Sequence, residues 1–116
     1  PKPAVVEARV WDKLAAALSF VESRDDDRAY NATSGALGRW QMKKVYVDEV
    51  NRILCLKREK KRYGYDDRTN PIKAREMFEI YQSHHNPNKD IDRAIRLHRG
   101  LHSTKYVKEV KRKLRE

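Results

Sequence analysis

Val6, Val10, Leu14, Ala17, Leu18 and Val21 recur every one to four positions near the start of the chain. That spacing lays one apolar stripe along one side of an α-helix. With Pro3 just upstream, it predicts a helix over residues 5–22. The same pattern returns over residues 40–56, with Val45, Val50, Ile53, Leu54 and Leu56 as anchors. Asn70 is placed to cap a third helix and Pro71 to open it. Ile72, Met77, Phe78 and Tyr81 carry that helix to about Ser83, where His84-His85-Asn86-Pro87-Asn88 breaks it. A fourth helix is expected over residues 89–97, with Ile91, Ala94, Ile95 and Leu97 inward and Gly100 as its stop. Tyr106, Val107, Val110 and Leu114 form one side of a last helix. The expected fold class is therefore all-α, about five short helices with little or no sheet. No repeat or boundary interrupts residues 1–116, a length that suits one domain with one modest core.

Apolar residues are 39% and charged residues 38% of the chain, and six Tyr, two Trp and two Phe argue against disorder. No apolar run approaches a membrane span, and no signal peptide is visible. Beginning at Pro1, the chain reads as a fragment or a processed form. Cys55 is the single cysteine, so no intrachain disulfide can form. Its apolar neighbours Ile53, Leu54 and Leu56 predict a small core residue. A net charge of +10 calls for a polyanionic partner: nucleic acid, an anionic membrane surface or an acidic wall polymer. Five of the six residues from Lys57 to Arg62 are basic, ahead of a Tyr63-Gly64-Tyr65 break. The last helix crowds Lys105, Lys108, Lys111, Arg112, Lys113 and Arg115 around its apolar side. A solvated helix end and a polyanion patch both fit such runs. The pair His84-His85 lacks cysteine or spaced carboxylate companions, so neither a metal nor a cofactor is expected.

Glu22 is the residue with the most chemical content. It lies four residues past Leu18 and eight past Leu14, on their apolar side rather than opposite it. A carboxylic acid beside an apolar face can keep its proton near neutral pH, which is what protonating a sugar leaving group requires. The plain alternative is a solvated glutamate in a last helical turn. Residues 23–38 read as loop, with Asp25, Asp26 and Asp27 bringing negative charge near Glu22 in sequence and Gly35 and Gly38 permitting tight backbone. Trp40 is either a stacking platform for a sugar or a core residue, and Tyr30 is a second stacking candidate.

The order of Glu22-Ser23, then Ala29 and Asn31-Ala32, then Gly35-Ala36-Leu37-Gly38-Arg39-Trp40-Gln41-Met42 resembles the catalytic domain of soluble lytic transglycosylases, in the lysozyme-like superfamily. Asn70-Pro71-Ile72, Ala94 to Gly100 and Tyr106-Val107-Lys108-Glu109-Val110 follow in the family's order, and the likeness spans residues 11–110. It implies a compact lysozyme-like helical domain with minimal or no β-hairpin. It also implies a monomer acting on peptidoglycan glycan strands in the periplasm, at the cell envelope, outside the cell or on a phage particle. The implied reaction cleaves the N-acetylmuramic acid to N-acetylglucosamine bond and leaves a 1,6-anhydro sugar. By this resemblance Glu22 is the catalytic acid and base, Gln41 meets an N-acetyl group, and Ser23 supports the loop beside Glu22. Trp40 and Tyr30 would contact sugar. Where the family often has Tyr-Asn, this chain has Leu97-His98. Leucine cannot donate the family tyrosine's hydrogen bond, which leaves His98, Tyr106 or Tyr30 to take its part.

Hydrolysis of the same bond is the close alternative. It normally needs a second carboxylate, and Asp25, Asp26, Asp27, Asp48 and Asp66 are equal candidates. A glycan-binding domain without activity is a third reading. A helical nucleic-acid-binding module is a fourth; it accounts for the charge but leaves Glu22 and the glycine block without a task.

Overall fold

The computed structural model describes residues 3–99 and 104–116. Helix α1 spans Pro3–Ser23, α2 Lys44–Leu56, α3 Pro71–His85, α4 Ile91–Arg99 and α5 Thr104–Arg115, with a 3-10 turn at Tyr65–Thr69 between α2 and α3. No strand forms among the described residues; two isolated bridges, Tyr30 to Leu37 and Leu37 to Met42, pin the loop between α1 and α2. The all-α architecture matches the periodicity. The side chain of Val6 and all of Gly100 lie outside the described residues.

The apolar stripes meet in one core. Leu14 and Leu18 of α1, Val47 and Val50 of α2, Met77 and Phe78 of α3, Ile95 of α4 and Val110 of α5 are fully buried in it. Each such side chain contributes ~1.5–3 kcal/mol by leaving water. Helix α1 packs on α5, α2 packs on α3, and α4 touches both α3 and α5. Helix α3 begins as its residues dictate. The Asn70 Oδ1 accepts from the backbone N–H groups of Ile72 and Lys73, each at 3.0 Å, and Pro71 fills the first position.

Two expectations are corrected. Helix α2 starts at Lys44, because Gly38 to Met42 are held in a turn: the Gln41 N–H bonds the Gly38 carbonyl at 2.9 Å, and Gln41 adopts a left-handed φ of 51°. Its end at Leu56 matches the spacing; there Arg58 has a φ of 60° and the Lys57 N–H closes on the Ile53 carbonyl at 3.0 Å. Cys55 is exposed, while its neighbours Ile53 and Leu54 are buried.

The loop from Arg24 to Lys43 is anchored where it crosses the 3-10 turn. Gly38 has a φ of 88°, and a Cβ there would overlap the Arg68 carbonyl oxygen. The buried Arg68 side chain reaches back across this contact. Its Nε donates to the Tyr65 carbonyl at 2.7 Å, and its Nη1 to the carbonyls of Gly35 and Met42, each at 3.1 Å. Burial lowers the Arg68 pKa, and three carbonyl dipoles offset the cost of placing a cation there.

Candidate active site

A cleft of about 380 Å³ opens where the last turn of α1, the anchored loop, the first turn of α2 and the end of α4 converge. Glu22 enters it from α1, half-buried. Tyr106 of α5 donates its hydroxyl hydrogen to Glu22 Oε2 at 2.6 Å, across 84 positions of sequence. Burial first, and then the Glu22 charge, raise the Tyr106 pKa far out of reach, so the phenol stays a donor. The Arg99 guanidinium lies over the Tyr106 ring, 4.6 Å from its centre, a cation–π contact. Of the tyrosines and histidine expected to replace the missing family tyrosine, Tyr106 is the one that hydrogen-bonds Glu22.

His98 forms part of the cleft floor, though only 8% of it is exposed. Its Nε2 lies 2.7 Å from the Trp40 carbonyl. A carbonyl only accepts, so Nε2 carries the hydrogen. Burial lowers the ring's pKa against the opposing pull of the Glu22 charge and the Trp40 carbonyl. The neutral ring then presents a bare lone pair at Nδ1, and that atom has no partner among the described residues. Tyr46 is its neighbour, edge to face at 5.7 Å, and stacks on Tyr81 at 4.2 Å between ring centres. The Tyr46 hydroxyl is also buried without a partner among the described residues, and burial raises its pKa.

Gln41 lines the cleft. Its Nε2 is committed to the carbonyls of Ala29 and Gly38, each at 3.0 Å, so it braces the glycine turn. Ser23 lies behind the site. Its hydroxyl donates to the Arg39 carbonyl at 2.8 Å and accepts from the Asp26 N–H at 3.0 Å, tying the end of α1 to the loop. Two residues expected to contact sugar lie outside the lining of this cleft. Trp40 is a core residue, 5% exposed, with its indole N–H on the Ala15 carbonyl at 2.8 Å and its ring stacked with Phe78. Tyr30 is exposed on the loop and does not line this cleft. Residues that the sequence did not mark as site residues also line it: Lys43, Val45, Tyr46, Tyr81 and Arg99. Their apolar or basic character matches dozens of other positions, and only the packing of α2 on α3 brings Tyr46 against Tyr81.

Glu22 is the one carboxylate among the residues lining the cleft. The aspartates that competed for a second catalytic role are engaged elsewhere or exposed. Asp25 accepts from the Ser19 hydroxyl at 2.5 Å, Asp27 pairs with Arg39 at 2.6 Å, and Asp48 accepts from the Tyr65 hydroxyl at 2.7 Å. Asp26 and Asp66 are exposed and absent from the cleft lining. The histidine pair next to the α3 terminus is also spoken for in part, with His85 Nε2 at 2.6 Å from Glu49 Oε2. No group of three or more His, Cys, Asp and Glu suited to a metal ion occurs among the described residues. No helix among them is long and apolar enough to cross a membrane. No family model, no curated protein and no solved structure matches this chain.

Proposed function

We propose that this chain cleaves peptidoglycan glycan strands as a lytic transglycosylase, with Glu22 as the catalytic acid and base. The observation that carries the reading is the lone carboxylate of the cleft, held at Oε2 by the Tyr106 hydroxyl. Its other oxygen, Oε1, has no hydrogen-bond partner among the described residues. In the proposed reaction Glu22 gives its proton to the bridging glycosidic oxygen as positive charge grows at the anomeric carbon. The leaving sugar departs with that proton. The 6-hydroxyl of the remaining N-acetylmuramic acid then attacks the anomeric carbon and returns its own proton to Glu22. A 1,6-anhydro ring closes without water. A two-carboxylate hydrolysis needs an opposing acid, and none of the five candidate aspartates lines the cleft. That favours the single-carboxylate route.

Mass spectrometry of products from purified peptidoglycan, run on the parent and on Glu22→Gln, tests the reading. The expected outcome is anhydromuramyl ends from the parent alone, with at least a ~100-fold loss in the variant. Reducing ends from the parent would replace the lyase with a hydrolase. Equal cleavage by both proteins would remove Glu22 from the mechanism.

A second reading has its own observation. Lys105, Lys108, Arg112 and Arg115 are exposed along one side of α5, the spacing of a phosphate-binding helix face. Binding of mixed-sequence DNA that weakens steeply with salt would support a nucleic-acid module.

A further inference from the structure

We propose that Lys43 and Arg99 make this cleft selective for glycans carrying a free carboxylate on the substituent beside the scissile bond. This deepens the glycan-cleaving reading of the site and rests on it. Both cations line the cleft with Glu22. Neither has an acidic partner among the described residues. They also come from different elements. Lys43 immediately precedes α2, and Arg99 ends α4.

Arg99 is held in place rather than swinging free. Its guanidinium rests on the ring of Tyr106, the same residue whose hydroxyl holds Glu22. The cation is thereby tied to the catalytic carboxylate through one rigid side chain. A planar guanidinium fixed this way offers two parallel N–H donors, the geometry a carboxylate matches. Lys43 supplies a second, point-like charge in the same lining. The lining they share also holds the buried His98 and the stacked Tyr46 and Tyr81. A neutral chain of N-acetylated sugars has nothing to offer either cation. A glycan bearing an acidic lactyl or peptide substituent has a carboxylate that both can pair with.

Binding of three tetrasaccharides to the Glu22→Gln protein tests this by calorimetry without turnover. They are neutral chitotetraose, a muramyl tetrasaccharide with free-carboxylate stems, and the same muramyl tetrasaccharide with those carboxylates amidated. We expect the free-carboxylate ligand to bind about tenfold or more tighter than the other two. Lys43→Met with Arg99→Met should bring the three within about twofold, and Arg99→Lys should keep part of the preference. Equal affinity for the free and amidated ligands, a preference that survives the double substitution, or no binding of any ligand overturns the proposal. Cleavage is scored separately on the parent. Glu22-dependent cleavage with no carboxylate preference sinks the selectivity alone. A carboxylate preference that both cations create, without cleavage, sinks the enzymatic reading alone.

Discussion

The two faces of the loop between α1 and α2 obey opposite rules. On its inner face, around Gly38 and Arg68, hydrogen-bonding groups pair closely: the guanidinium serves three carbonyls. On its outer face, at the cleft, the Tyr46 hydroxyl and His98 Nδ1 are buried with no partner among the described residues. Two cations there also lack acidic partners. A buried polar group without a partner costs ~1–3 kcal/mol. The inner face therefore stabilises the fold, and the outer face gives up stability. Such local costs concentrate where a protein meets its ligand.

Gly38→Ala should have the largest effect on that contrast. It adds ~1–2 kcal/mol of left-handed strain to ~1–3 kcal/mol of overlap with the Arg68 carbonyl. A loss of about 3 kcal/mol in urea unfolding is expected; a loss under about 1 kcal/mol would mean the clamp is slack. Arg68→Met comes next, at about 2 kcal/mol, because three inward carbonyls lose their donor. An unchanged urea midpoint would show that water replaces the guanidinium freely.

The wall behind Tyr81 offers a smaller, pH-dependent handle. The Arg52 guanidinium, and then His85, hold the Glu49 carboxyl down at about 2. The folded value lies below the usual 4.5. Its contribution is thus full above about pH 4.5 and lost as pH falls toward about 2. Glu49→Gln should cost ~1 kcal/mol at pH 7 and flatten the acid limb of a thermal-melting profile; an acid limb of unchanged slope would count against the pairing. The smallest effect has the opposite sign. Tyr46→Phe deletes an unpaired buried hydroxyl and should raise stability by ~0.5–1 kcal/mol. A drop in melting temperature would mean that hydroxyl is bonded after all, and would weaken the contrast between the two faces.

Much of the fold was legible before any packing was known. Apolar spacing marked all five helices, and Asn70 with Pro71 marked the start of α3 to the residue. The start of α2 was less legible. A positive φ at Gln41 keeps the chain out of helix there, and that side-chain type carries no warning of such geometry. Trp40 shows the same limit: an aromatic beside a glycine turn fits a sugar platform or a core, and only Ala15 and Phe78 decide which.

Sequence by itself determined the helical class, the cap of α3, the absence of an intrachain disulfide, and the position of Glu22 at the end of an apolar stripe. Each follows from spacing or residue chemistry within one turn of chain. Tertiary structure alone decided that Tyr106 holds Glu22, that His98 is buried beneath the cleft, and that Lys43 and Arg99 line it together. Those pairings join residues up to 84 positions apart. No local preference reaches that far; the packing of α1 on α5, and of α4 against its neighbours, brings them together.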